Sequence, residues 1–182
     1  MKKLKIAAKV RKCTYEELSS GEKKLVDTAK NASGKAYAPY SGFRVGAAIL
    51  LDNGVIVSGN NQENAAYPSG LCAERVAVFA AGAHHPCRAP LALAIAAQLE
   101  ATFTDHPVSP CGACRQCLLE MERRHGKALR LILYGTKEVY IVDRAEDLLP
   151  LAFTQVQVND KTQNRTDSSP LQMKPLSAPS NQ

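Results

Sequence analysis

Hydrophobic and polar positions follow two different rhythms along the chain, and each rhythm predicts one kind of element. Apolar residues at every second position, or in a short unbroken run, are typical of strands that are buried on one or both faces. The first alternating segment is followed by Asp52-Asn53-Gly54, a sequence that favours a hairpin turn. The strands predicted in this way cover residues 43–49, 55–57, 91–97, 129–134 and 139–142.

Helical spacing of apolar residues predicts the segments between these strands. Thr14 followed by Glu17 resembles the start of a capped helix, and Gly82 and Gly126 are placed to end two others. The predicted helices cover residues 14–36, 72–81, 111–125 and 145–149. Strands that alternate with helices predict an α/β fold: a three-layer α/β/α sandwich with a mixed five-stranded sheet, in which the hairpin supplies the antiparallel part.

The two ends of the chain differ from this pattern. Leu4, Ile6, Ala8 and Val10 alternate with mostly basic residues, so residues 1–13 are predicted to be an extension that contains an edge strand. From Thr154 onward the composition changes to Gln, Asn, Ser, Thr and Pro, so residues 154–182 are predicted to be a disordered polar tail. One main domain is then expected to span residues 14–153.

Charge is distributed unevenly along the 182 residues, whose net charge is +6. Residues 1–35 hold ten Lys/Arg against four Asp/Glu, whereas residues 36–153 hold ten against eleven. The excess therefore lies in the N-terminal segment, outside the part of the chain with recognisable chemistry, and a solvated face explains it better than a nucleic-acid site. No segment is apolar enough for a membrane span, and basic residues interrupt any signal-peptide core, so we expect a cytoplasmic protein.

Three of the six cysteines form a pattern that predicts a metal site. Cys111 and Cys114 open a predicted helix, where a spacing of three places both sulfurs on one face. Alone this pair could be structural zinc or a redox pair, but Cys72 opens a second helix and Glu74 follows it. Zinc with three protein ligands keeps a fourth position for water, and a nearby carboxylate can act as general acid and base. The pattern matches zinc-dependent base deaminases.

The cysteines allow two alternative sites, a closed four-thiolate zinc site and an iron–sulfur site. Cys117 could complete a closed four-thiolate site, but its side chain is rotated by about 60° from the line of the other two on the helix, which favours a buried apolar role. An iron–sulfur site is disfavoured because the sequence lacks the further Cys-Pro of the bacterial ferredoxin pattern.

Three thiolates leave a zinc site with net negative charge, so Arg75 is expected to offset it by hydrogen bonding to the sulfurs.

Five blocks of the chain form a further pattern: YAPYSGFRVGAA at 37–48, NQENAAY at 61–67, CAER at 72–75, PCGACRQ at 110–116 and LLPLAF at 148–153. In this order, the blocks resemble those of the small homotetrameric cytidine deaminases. The resemblance covers about residues 15–153.

The resemblance implies a set of roles and an assembly. Glu74 would be the catalytic proton shuttle, and one Zn²⁺ per subunit would be held by Cys72, Cys111 and Cys114. Asn61 and Glu63 would hold the ribose hydroxyls, while Phe153 would reach the site of a neighbouring subunit and stack on the base. The implied substrate-binding residues are Phe43, Asn61, Glu63, Ala73 and Phe153.

The activity implied by the resemblance is hydrolytic deamination of free cytidine and deoxycytidine in pyrimidine salvage. Alternatives are a deaminase acting on a cytosine-bearing antibiotic nucleoside, a deaminase acting on polynucleotide cytosine, and a non-catalytic zinc module. A polynucleotide deaminase needs a basic channel with stacking surfaces. Residues 36–153, the greater part of the catalytic domain expected at 14–153, instead hold a slight acidic excess, and the chain has no Trp. A non-catalytic module would leave Glu74 without a role.

Overall fold

The computed structural model describes residues 1–154, which form one mixed sheet with helices on both faces. The strands are β1 (Val10–Cys13), β2 (Phe43–Leu51), β3 (Ile56–Asn60), β4 (Pro90–Leu99), β5 (Thr102–Phe103), β6 (Arg130–Tyr134) and β7 (Val139–Val142). The helices are α1 (Ser20–Ser33), α2 (Ala73–His84) and α3 (Gly112–His125), with 3₁₀ turns at Tyr67–Ser69 and Ala145–Leu148. Within this part of the chain, no helix is long and apolar enough to cross a membrane.

The strands are ordered β1-β7-β6-β4-β2-β3, and the short β5 pairs with the end of β4. Strands β4 and β6 are parallel and are connected through α3, while all other described pairs are antiparallel. The predicted α/β/α sandwich is confirmed, but the sheet of the described residues has seven strands and not five. The additional strands are β1 from the extension and β5, which at two residues is too short to show a period.

Strand β4 separates two hydrophobic cores. Leu93 and Ile95 face the core formed with α2 and α3, whereas Ala94 and Ala96 face the core formed with α1. Burial of both faces explains why this segment reads as an unbroken apolar run. The small alanines on the second face allow α1 to lie close to the sheet.

Two glycines set how closely helices approach the sheet. A Cβ at Gly46 would overlap the backbone carbonyl of Ala29 in α1. A Cβ at Gly59 would overlap the backbone nitrogen of Ala77 in α2 and lie 2.8 Å from the carbonyl oxygen of Ala73. The first turn of α2 carries the predicted catalytic residue, so the close approach at Gly59 sets the distance between that residue and the sheet.

The edge strand lies further along the chain than its alternation predicts. Residues 1–9 are exposed and irregular, and β1 begins only at Val10, which pairs with Val142. Strand β7 offers just four residues for pairing, so the earlier alternating residues have no partner strand within residues 1–154. Arg11 adds an ion pair with Asp143 at 2.6 Å that supports this register.

The first helix begins at Ser20 and not at residue 14. Thr14 does bond to Glu17 through its backbone N–H and hydroxyl, at 2.7 and 2.9 Å, but this closes an isolated turn. The complete capping box is formed by Ser19 and Glu22, five residues later. The other predicted elements are found with shifts of a few residues at their ends, and the tail from residue 155 lies outside the described residues.

Candidate active site

The N-termini of α2 and α3 meet at one point and bring three thiols together. Cys72 caps α2, Cys111 caps α3, and Cys114 lies in the first turn of α3. The Sγ atoms are 3.8 Å apart for Cys72 and Cys111 and 3.4 Å apart for Cys111 and Cys114, and all three lie within 4.8 Å of one another. Tetrahedral zinc with bonds of about 2.3 Å requires sulfurs about 3.8 Å apart, so the cluster fits this ion.

The thiols stabilise a negative charge within the cluster. Hydrogen bonds from Cys114, Cys111 and Arg75 lower the pKa of Cys72 to about 5. The pKa of Cys114 moves upward because it donates to Cys72 and is buried. A thiolate surrounded by donors is the state that a thiophilic cation stabilises by replacing the shared protons.

Glu74 and Arg75 flank this cluster on α2. Glu74 is 5% exposed, and burial together with the nearby Cys72 thiolate raises the pKa of its carboxyl group. The positive guanidinium of Arg75 helps to lower the pKa of Cys72, while its Nε is buried and has no hydrogen-bond partner among the described residues. A buried carboxyl group with a raised pKa can both accept and release a proton, as general acid–base catalysis requires.

Cys117 lies outside the group of converging ligand atoms. It is half-buried, and burial raises the pKa of its thiol. Within residues 1–154, the only group of three or more potential metal ligands is that of Cys72, Cys111 and Cys114.

A cleft of about 490 Å³ opens beside Cys72 and Arg75. Its volume is in the range of sites for small organic molecules. Tyr40 and Tyr67 line it and pack edge to face, with ring centroids 6.1 Å apart. This ring pair could not be predicted from the sequence, because the two tyrosines belong to separate blocks and meet only in the fold.

Asn61 and Glu63 both line the cleft, and the ribose contacts that the resemblance implies for them stay a prediction. Glu63 accepts hydrogen bonds from the backbone N–H groups of Tyr40, at 2.9 Å, and Ser41, at 3.3 Å, and from the Ser41 hydroxyl. The Ser41 hydroxyl and these N–H groups lower the pKa of Glu63, which is therefore a fixed carboxylate. Ser41 was not singled out from the sequence, although it lies in the first block.

The Asn61 amide is held against β2. Its Oδ1 accepts from the Val45 N–H at 2.7 Å, and its Nδ2 donates to the Phe43 carbonyl at 2.9 Å. One amide hydrogen and one lone pair remain for a ligand. Asn61 is thus both a brace for the strand and a polar group at the edge of the cleft.

The other three predicted contact residues lie outside the lining of this cleft. Phe43 begins β2 and pairs with Leu99 of β4. Ala73 is fully buried in the first turn of α2, next to Cys72. Phe153 is 66% exposed, and its carbonyl oxygen accepts a hydrogen bond from Gln116 at 3.0 Å.

Comparisons with known proteins agree on one family. Residues 19–126 match the family model of the cytidine and deoxycytidylate deaminase zinc-binding region. The chain is 40% identical to a cytidine deaminase of Halalkalibacterium halodurans, over 75% of this chain and 96% of that protein. It is 41% identical to a cytidine deaminase of Mycobacterium tuberculosis, over 71% and 86% of the two chains.

A solved structure gives the same result for the fold. The crystal structure of a cytidine deaminase from Burkholderia pseudomallei superposes with a TM-score of 0.61 at 40% identity, covering 72% of this chain and 98% of that one. The sequence similarity, the fold and the converging thiols all lead to one conclusion: the chain belongs to the zinc-dependent cytidine deaminase family.

Proposed function

We propose that the chain hydrolyses the 4-amino group of cytidine and deoxycytidine, giving uridine or deoxyuridine and ammonia. One observation carries the proposal: the buried carboxyl group of Glu74 lies beside three convergent thiols, next to a cleft of nucleoside size. The similarity to proteins named cytidine deaminase supports the same substrate class.

We assign the role of zinc ligands to Cys72, Cys111 and Cys114, with one ion per subunit. When bound, zinc supplies a Lewis acid that activates water for attack on C4 of the pyrimidine. The positive guanidinium of Arg75 lies close enough to Cys72 and Cys114 to offset the negative charge of the thiolates.

Glu74 moves the protons of the reaction. Its carboxylate takes one proton from the attacking water and delivers it to N3 of the ring. It then takes the second proton of that water from the new hydroxyl group on C4 and gives it to the amino group, so that the C4–N bond breaks, ammonia leaves and the C4 carbonyl forms. Burial, which raises the pKa of Glu74, brings the two protonation states closer in free energy and so suits both transfers.

The ribose lies against Glu63 and Asn61 in this proposal. The Glu63 carboxylate, already fixed by the 40–41 backbone, accepts from a ribose hydroxyl, and Asn61 supplies its remaining amide hydrogen. We also assign Phe43 and Ala73 to contacts with the bound nucleoside. Because Phe153 is exposed, we propose that it enters the site of a neighbouring subunit in a homotetramer.

Two broader assignments complete the proposal. Cysteines that bind zinc must stay free of disulfide bonds, as these cysteines are. The cytoplasm keeps cysteines reduced, so it is the location that suits this site. The product is a uracil nucleoside, so the reaction belongs to pyrimidine salvage.

The experiment is a cytidine turnover assay by ultraviolet absorbance, paired with zinc quantification. Glu74→Ala should keep its zinc and lose turnover by about 10²–10⁴-fold or more. Glu120→Ala, at an exposed position on α3, is the control and should match the native chain. Substantial turnover by Glu74→Ala would contradict the proposal, and a preference for single-stranded DNA would indicate a polynucleotide deaminase instead.

A further inference from the structure

Two consecutive side chains of α3 hold the segment 149–154 against the helix that carries two of the thiols. Arg115 and Gln116 directly follow Cys114. The segment 149–154 contains no helix or strand, and Leu151 within it has a φ of +56°. Its position therefore depends on contacts with other parts of the fold.

The guanidinium of Arg115 joins two distant carbonyl groups. Its Nε donates to the Pro110 carbonyl at 2.8 Å, and its Nη1 donates to the Leu148 carbonyl at 3.0 Å. Pro110 immediately precedes Cys111, and Leu148 immediately precedes the irregular segment. The planar fork of arginine can bind both carbonyls at once, which a lysine ammonium on its flexible stem does less well.

Gln116 holds the far end of the same segment. Its Nε2 donates to the Phe153 carbonyl at 3.0 Å. Adjacent residues of α3 thus hold the segment at Leu148, just before its start, and at Phe153, near its end. Of the two, only Arg115 also binds the loop before Cys111.

We propose that Arg115 is a positioning residue that couples metal binding at Cys111 to the order of the segment 149–154. The proposal rests on the ligand role of the three cysteines given under Proposed function. Cys111 is exposed, and a bound ion fixes its sulfur and with it the Pro110 carbonyl. Arg115 transmits that restraint to Leu148, whereas Gln116 restrains Phe153 independently of the metal.

The test measures two quantities that need no substrate. Hydrogen exchange of the 149–154 amides is followed in the zinc-loaded and chelator-stripped full chain, and zinc release to a competing chelator is timed. In the native chain, stripping zinc should speed exchange of the segment several-fold. Arg115→Met should show fast exchange with or without zinc, and should release zinc about tenfold faster.

Three further variants separate coupling from general damage to α3. Gln116→Met should speed exchange near Phe153 but leave zinc release within about twofold of native. Arg115→Lys, which can keep one of the two carbonyl bonds, should be intermediate in both measurements. Arg124→Met, at an exposed position of the same helix, should match the native chain.

Each opposite result would overturn the proposal. Arg115→Met that keeps native zinc-dependent exchange would show that the coupling does not pass through Arg115. Equal acceleration of zinc release by Gln116→Met would show general loosening of α3. If Arg115→Met fails to fold, native behaviour of Arg115→Lys in both measurements would still reject the role. A native chain that takes up no zinc would reject the ligand assignment instead.

Discussion

The Glu122 carboxylate of α3, 3% exposed, accepts a hydrogen bond from the backbone N–H of Ala145 at 2.7 Å. The same oxygen accepts from the Leu129 N–H at 3.2 Å, and the other oxygen accepts from Arg144 Nε at 3.2 Å. One buried side chain thus fastens α3 to the chain just before β6 and to the start of the 3₁₀ turn at Ala145–Leu148.

Removing this carboxylate should destabilise the fold. Glu122→Ala leaves two buried backbone N–H groups without an acceptor, so we expect the free energy of unfolding to fall by about 2–3 kcal/mol in urea denaturation. Glu122→Gln keeps one oxygen for the two N–H groups and should lose only about 1 kcal/mol. Glu120→Ala, exposed on the same helix, should stay within about 0.5 kcal/mol of native. Equal losses at the two positions would contradict this account.

The carboxylate of Glu138 should make stability depend on acid pH. An ion pair with Lys12 and hydrogen bonds from His106, at 2.9 Å, and Tyr140, at 2.8 Å, lower the pKa of Glu138 from 4.5 to about 2. A lowered pKa contributes stability that is complete above the unfolded value and is lost as pH falls through the folded value. The native melting temperature should therefore fall between about pH 4.5 and pH 2 more steeply than that of Glu138→Gln. Lys12→Met leaves Glu138 with His106 and Tyr140 as donors, so the fall of its melting temperature in acid should be intermediate. Identical dependence of melting temperature on pH in all three proteins would refute the stabilising role of the Glu138 carboxylate.

Two glycines associated with α2 provide a matched test of close packing. Gly59→Ala places a methyl group on the backbone of Ala77, so α2 must move and stability should fall by about 1–3 kcal/mol. Gly82→Ala, within α2, meets no atom within 4 Å and should be neutral or stabilising, by up to about 1 kcal/mol. Thermal unfolding measures both. An unchanged Gly59→Ala protein would mean that the helix tolerates a shift away from the sheet.

Zinc content should distinguish the cysteines of α3. Cys111→Ser removes one of the three convergent sulfurs, so the purified protein should contain far less than one zinc per chain. Cys117→Ser lies outside that group and should retain the native zinc content. Loss of zinc from Cys117→Ser would indicate a closed four-thiolate site and would argue against an open position for catalysis.

Elements whose pattern is local could be predicted from the sequence. The β2–β3 hairpin and β4 follow from alternation, an Asn-Gly turn and an apolar run, and the three sulfurs were identified from their positions at helix starts. The start of α1 could not be predicted in this way, because Thr14-Glu17 and Ser19-Glu22 both satisfy the capping pattern. Only tertiary packing decides between them.

Contacts between distant segments also escaped prediction. The extent of β1 depends on the length of β7, which lies more than a hundred residues away. Arg115 and Leu148 are 33 residues apart, and no spacing rule connects them. Among the site residues, Asn61 was assigned to the ribose from the family resemblance, yet its bonds to Phe43 and Val45 also make it part of the frame of β2.

The meeting of the two helix starts has a consequence for chain topology. Cys72 and Cys111 are 39 residues apart in sequence, so an ion bound to both acts as a cross-link that closes a loop of that length. By chain entropy such a closure is worth about 4 kcal/mol against the unfolded state. Cys72 is the only one of the three thiols at the start of α2, so we expect its substitution to remove the cross-link and the reaction together. We expect Glu74→Ala, by contrast, to remove the chemistry and to leave the cross-link in place.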